Sequence, residues 1–274
     1  MSSTQADKAL RFRSLHQQRT PLLIPNPWDI GSARILAQLG FEALATSSAA
    51  SAAALGRRDG SITRDEALAH ARAIVSAIDL PVSADLENGF SHEPSAAAEI
   101  ILLASRTGLV GASIEDSTGN KDKPLFDFGH ATERIAAAVA AARSLPFPFT
   151  LTARCENFRF GNTNLDDTIQ RLVAYEKAGA DVLFAPALPD LAAVRTVCTA
   201  VSKPVNFMVG IKGKSFTVAE LTEAGVKRIC FASTLYRAAM TGLVNAAREV
   251  KQSGTFGYLD HSLTSQELNR FLSE

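Results

Sequence analysis

Cysteine is scarce in this chain. Its three residues, Cys155, Cys198 and Cys230, lie far apart, each in or beside an apolar run. Without a CxxC pair, neither a disulfide framework nor a structural zinc site is expected, and a reducing compartment is. Charge of one sign is also missing. Lys+Arg and Asp+Glu both number 28, the net charge is zero, and no basic stripe or run is present, so nucleic acid is not an expected partner. No apolar run approaches the roughly 18 residues a membrane span requires. The opening MSSTQADKALRFRSLHQQ lacks the apolar core of a signal peptide. The expectation is a cytoplasmic protein that does not engage membranes. There is no G-x-G-x-x-G and no G-x-S-x-G elbow. GIKGKS at 210–215 imitates a phosphate loop, but Met208 stands where the first glycine would be. The five histidines, at 16, 70, 92, 130 and 261, show no HxxxH spacing.

What the chain does have is rhythm. It is 46% hydrophobic and 20% charged, ordinary for a globular protein. Short apolar runs recur at 22–25, 43–46, 82–85, 111–114, 149–153, 181–185, 204–208 and 227–231. Between them lie Ala-, Leu- and Glu-rich stretches of helical period at 28–39, 64–77, 94–106, 130–143, 166–178, 190–200, 217–224 and 232–251. Alternation of this kind reads as βαβ units with a parallel sheet. Eight units predict an α/β fold, a closed (β/α)8 TIM barrel, as one domain over 1–274 with a helical tail from about 232 to 274. Gly40, Gly108, Gly179 and Gly225 stand where helix C′ glycines are expected, and Asp190 and Thr217 where N-caps are. The tail carries its own short helix, LTSQELNRFL.

Barrel chemistry sits at the carboxyl ends of the strands. There the sequence places Asn26, Trp28 and Asp29, then Ser47 and Ser48, then Asp85 and Glu87 of PVSADLENGF. Glu115 and Asp116, Arg154 and Glu156, Pro186 and Asn206 follow, with Asp59 in the loop after the second strand. Trp28, Ser47, Ser48, Arg154 and Asn206 are candidate substrate contacts. Several carboxylates on one rim repel one another unless a cation sits among them, and one arginine is too few. Hard oxygen donors without histidine or thiolate favour Mg2+, with Mn2+ as the alternative. Asp85 and Glu87 are expected to help hold it. The 117–129 loop, long for a βα connection, is expected to act as a lid.

The same residues resemble a known family. NPWDIGSARILAQLGFEALATSS, LGRRDG, PVSADLENGF, SIED, LTARCENF, AGADVLFAPAL and KPVNFMVG follow, in order, the segments of the isocitrate lyase/phosphoenolpyruvate mutase superfamily. The resemblance implies a (β/α)8 barrel whose last helix is exchanged with a neighbouring subunit, giving a homodimer or homotetramer. It also implies Mg2+ on the oxygens of a 2-keto acid or its enolate. Carried over, Asp85 ligates the metal, Glu87 and Glu115 hold its water shell, Asp59 assists, Arg154 pairs with substrate oxygens, and amides around Ser47 and Ser48 cradle a carboxylate or enolate oxygen. The family's D-x-D is D-x-E here, its PEAL is APAL, and the loop EDSTGNKDKPLFDFG lacks the cysteine of the isocitrate-type lyases.

The expected activity is therefore a Mg2+-dependent carbon–carbon lyase. It would act by retro-aldol cleavage or decarboxylation on a small 2-keto or 2-hydroxy di- or tricarboxylic acid, through an enolate such as that of pyruvate. Two alternatives stand: C–P chemistry on phosphonopyruvate-type substrates, with Lys121, Lys123, Lys212, Arg57 or Arg58 as second cation, and a non-catalytic keto-acid-binding barrel. The proton donor is Glu156, a metal-bound water or a group on the 117–129 loop. Glu156 has a second reading, in which it orients Arg154.

Overall fold

The computed structural model describes residues 3–214 and 216–272. Its eight strands are β1 (Leu22–Ile24), β2 (Leu44–Ala45), β3 (Val82–Asp85), β4 (Gly111–Glu115), β5 (Thr150–Arg154), β6 (Val182–Phe184), β7 (Val205–Met208) and β8 (Arg228–Cys230). All pair in parallel in the order β1-β8-β7-β6-β5-β4-β3-β2. At the remaining seam the Ala45 amide donates to Pro25 O at 3.1 Å and Asn26 Nδ2 to Thr46 O at 2.9 Å, leaving a nearly closed (β/α)8 barrel. Every strand falls inside or within one residue of its apolar run.

The helices are α1 (Gln5–Leu15), α2 (Ile30–Gln38), α3 (Ser48–Ala54), α4 (Arg64–Ala77), α5 (Pro94–Ser105), α6 (Phe128–Arg143), α7 (Leu165–Lys177), α8 (Leu191–Ala200), α9 (Val218–Glu223), α10 (Thr234–Ser253) and α11 (Ser265–Leu272). Gly40, Gly108, Gly179 and Gly225 end helices at φ of 86°, 92°, 103° and 94°, a region costly for any other residue. The side chains of Asp190 and Thr217 cap α8 and α9 by accepting from Ala193 N and Glu220 N. Among the described residues no helix is long and apolar enough to cross a membrane.

Two helices escaped the sequence reading. One is α1, whose polar sequence hides a capping box between Thr4 and Asp7 and a buried stripe of Ala9, Phe12 and Leu15. That stripe packs with Leu22, Ala43 and Val110 at the strand starts, so α1 stoppers the amino end of the barrel. Gly111 makes room for it: a Cβ there would meet the Phe12 ring at 2.9 Å and Thr150 O at 2.7 Å. The other is α3, one short helix within the loop after β2.

The barrel's last helix, α10, buries none of its residues, and Leu243, Val244 and Val250 are exposed. The tail helix α11 returns to pack on α2, where Arg34 Nη1 donates to Leu272 O at 3.2 Å.

Candidate active site

A cavity of about 500 Å³ opens at the carboxyl end of the barrel. Of the residues singled out from sequence, Ser47, Ser48, Asp59, Asp85, Glu87, Glu115, Arg154 and Asn206 line it. Two do not. Trp28 lies off the wall, edge to face with Tyr236 at 5.5 Å between ring centres. Glu156 is fully buried behind Arg154.

Arg154 ends β5, is itself 7% exposed, and organises the floor. Its Nη1 donates to Asp85 Oδ1 at 3.1 Å, and its Nη2 pairs with Glu115 Oε2 at 3.1 Å and Glu156 Oε1 at 2.9 Å. Its Nε donates to Glu156 Oε1 at 3.0 Å, and the plane rests over the Phe184 ring. Burial opposes the charge, but the carboxylates of Glu156, Glu115 and Asp85 outweigh it and hold this arginine protonated far above its ordinary range.

The acids differ in how they are satisfied. Ser48 Oγ lies 3.0 Å from both Asp85 Oδ2 and Asp59 Oδ1, so its one proton serves one of the two carboxylates at a time. Glu115 Oε1 accepts from Ser117 Oγ at 2.6 Å, yet burial still raises its carboxyl above the usual range. Glu87 faces the cavity in a left-handed conformation, φ 49°. Burial, then Asp85, Glu115 and Asp59, push its carboxyl up to about 8. The loop carrying it is pinned by fully buried Arg134, which donates to Asn88 O and, at 2.7 Å, to Ser91 O. Left-handed Ala187 and Ala232 also line the cavity; strained backbone of this kind collects at functional sites.

Among the described residues no three His, Cys, Asp or Glu side chains form a ready metal cage. The donor set nonetheless suits Mg2+, which keeps much of its water and needs only one or two carboxylates. It is all oxygen, and Glu87 lies beside Asp85 and Glu115, which hold the ion pairs to Arg154.

Asp116 corrects the sequence picture. It follows Glu115, but it turns away from the rim. Its Oδ1 accepts from the Glu156 amide at 2.8 Å, and its Oδ2 from Tyr175 Oη at 2.7 Å and Arg171 Nη1 at 3.1 Å. It braces the β4 and β5 ends from behind. The expected second cations are also elsewhere: Lys123 pairs with Asp127 at 2.8 Å and Arg57 with Glu66 at 2.8 Å. Arg159, Arg228 and Arg237 line the cavity instead. Arg159 Nη2 meets Asp59 Oδ2 at 3.1 Å. The signal for Arg228 was a charge inside an apolar strand run, KRICF. Residues 117–125 of this loop form a hairpin, with a bridge between Ser117 and Leu125 and Thr118 N donating to Pro124 O at 2.8 Å, and α6 begins at Phe128. His92 contacts it at Thr118 O, 3.0 Å.

An α/β barrel with charged groups gathered at its carboxyl rim has the layout of an enzyme site. Comparison with known proteins makes this specific. The family model for phosphoenolpyruvate phosphomutase matches residues 12–251. A crystal structure from Burkholderia cenocepacia J2315, of a protein provisionally named a lyase/mutase, is 50% identical with a TM-score of 0.97, covering 98% of this chain and 97% of that one. A crystal structure of 2,3-dimethylmalate lyase is 28% identical with a TM-score of 0.86, covering 99% and 95%. The 2-methylisocitrate lyase of Escherichia coli strain K12 is 29% identical over 254 residues, covering 89% of this chain and 84% of its own. The chain belongs to the phosphoenolpyruvate phosphomutase family, within the isocitrate lyase/phosphoenolpyruvate mutase superfamily, and is an enzyme of that type, with carbon–carbon lyases among its relatives.

Proposed function

We propose that the chain is a Mg2+-dependent carbon–carbon lyase that cleaves a small 2-keto or 2-hydroxy di- or tricarboxylic acid, by retro-aldol cleavage or decarboxylation. One observation carries this reading: Arg154 at the cavity floor, tied to Asp85, Glu115 and Glu156, beside Glu87, whose carboxyl is raised to about 8. The names of the dimethylmalate and methylisocitrate lyase relatives support it.

Breaking such a bond leaves an electron pair on carbon, which must delocalise into an enolate. Mg2+, held by Asp85 with Glu87 and Glu115 around its waters and Asp59 assisting, would supply Lewis-acid charge at the reacting oxygen. Arg154 supplies a fixed cation already desolvated and oriented, so little reorganisation is needed as charge develops. Glu156 does not reach the cavity and serves to orient Arg154. Ser117 is the hydroxyl of the 117–129 loop that reaches the cavity, and its bond to Glu115 makes that pair the proton route to the carbanion. Asn206 and the Ser47–Ser48 turn contact the substrate.

The exposed apolar face of α10 supports exchange of this helix between subunits of a homodimer or homotetramer. Arg159 favours the C–P alternative as a second cation at the mouth. A pyruvate assay coupled to lactate dehydrogenase separates the readings. Mg2+-dependent release is expected from oxaloacetate, alkyl-substituted malates or methylisocitrate. Release from phosphonopyruvate alone would transfer the enzyme to C–P chemistry, and silence across the panel would favour a binding barrel.

A further inference from the structure

Arg228 opens β8 with its side chain inside the barrel, on the cavity wall, and is 5% exposed. It differs from Arg154 in one respect. Arg154 is surrounded by three carboxylates, whereas Arg228 has no carboxylate partner among the described residues. Its hydrogen bond runs from Nη1 to Thr152 Oγ1 at 3.1 Å, and its buried Nε has no partner. Its register neighbour on β7, Asn206, also lines the cavity and holds a buried side-chain oxygen without a partner. A buried guanidinium is expensive to leave unpaired, and such groups normally sit against an anion. The Arg228 side chain lines the same cavity as the acid rim. Arg154 has most of its donors committed to the protein's own acids, so it is poorly placed to hold a second negative group.

We infer that Arg228 is a second anion-binding residue, holding the additional carboxylate of a dicarboxylic substrate deep in the barrel while the rim handles the 2-keto or 2-hydroxy end. This rests on the lyase reading above and names the residue that selects the second carboxylate of its substrate. A guanidinium gives a paired fork to a carboxylate, so a charge-assisted contact here is worth roughly a 10- to 100-fold preference.

The test is a binding comparison that does not require turnover. Lactate and malate share the 2-hydroxy acid end and differ by one carboxylate. Their dissociation constants, for malate in both enantiomers, are measured by calorimetry with Mg2+ on the wild-type protein, Arg228→Met and Arg228→Lys. The wild type should prefer one malate enantiomer over lactate by roughly 10-fold or more. Arg228→Met should lose that preference without loss of melting temperature, because it removes an unpaired buried charge. Arg228→Lys, which keeps the charge and loses the fork, should retain part of it. An undiminished malate preference in Arg228→Met would overturn the inference alone. So would an equal weakening of both ligands with a lowered melting temperature, since that marks a structural role. Failure of the wild type to bind either acid would overturn the 2-hydroxy-acid reading itself, and this inference with it.

Discussion

Arg154 Nη1 lies 3.1 Å from Asp85 Oδ1, joining the end of β5 to the end of β3 across the barrel mouth. The pair is mostly buried, with side-chain exposures of 8% and 17%. Removing Arg154 leaves Asp85, Glu115 and Glu156 without their shared cation, which is costly at such depth. The site's geometry and its local stability are therefore the same interaction seen twice.

Arg154→Lys tests this directly. Lysine keeps the charge but cannot serve Asp85, Glu115 and Glu156 at once from one planar fork. Turnover of the substrate found in the pyruvate panel should fall by about 10²–10³. Steady-state kinetics decides, and activity within a few-fold of wild type would mean Arg154 does not act at the reacting oxygen.

Asp116→Ala should show in stability. The carboxylate answers Arg171, Tyr175 and the Glu156 amide, all buried. Its loss leaves buried Arg171 with only the longer, 3.4 Å pair to Asp167, at a cost of about 3 kcal/mol. Denaturant melts measure it. A loss below about 1 kcal/mol would place Asp116 among ordinary surface acids.

Acid should weaken the fold through His16. Burial, aided by the charge of Arg228, lowers its pKa from 6.5 to about 3, and its Nε2 has no partner. The folded state keeps the ring neutral where the unfolded chain protonates it. Between about pH 6.5 and 3 the unfolded state thus binds more protons, and stability falls on acidification by up to about 1.4 kcal/mol per pH unit. Above pH 6.5 this contribution is fully present. The pH-dependent melts of His16→Gln, minus those of wild type, should show that slope removed. Parallel curves would refute it.

Phe12→Ala should cost about 3–5 kcal/mol, because the ring is fully buried under the barrel against Gly111. Differential scanning calorimetry reads the loss. A small one would mean α1 merely lies on the surface.

The barrel was legible because parallel strands, buried on both faces, announce themselves as apolar runs between helical periods. Glu115 and Arg154 could be placed on the rim because each ends such a run. Asp116 shows the limit. Alternation along a strand sends neighbours to opposite faces, so one of two adjacent acids had to leave the rim, and the sequence alone did not say which. Trp28 was placed by proximity to a strand end, yet its direction is set by packing on Tyr236, a partner more than 200 residues away. Helix α1 was invisible because three apolar side chains among charged neighbours suffice when the surface they cover is the end of a barrel. Arg228 was passed over because a single charge in a strand run reads as noise until the fold shows that no carboxylate among the described residues pairs with it.

The most direct measurement is Mg2+-dependent pyruvate release from a carbon substrate, compared between wild-type protein and Asp85→Ala at matched folding by circular dichroism. The account predicts release that chelator abolishes and Mg2+ restores, and a fully folded Asp85→Ala protein that stays inactive at any Mg2+ concentration. Release that survives chelation, or survives the loss of Asp85, would contradict it.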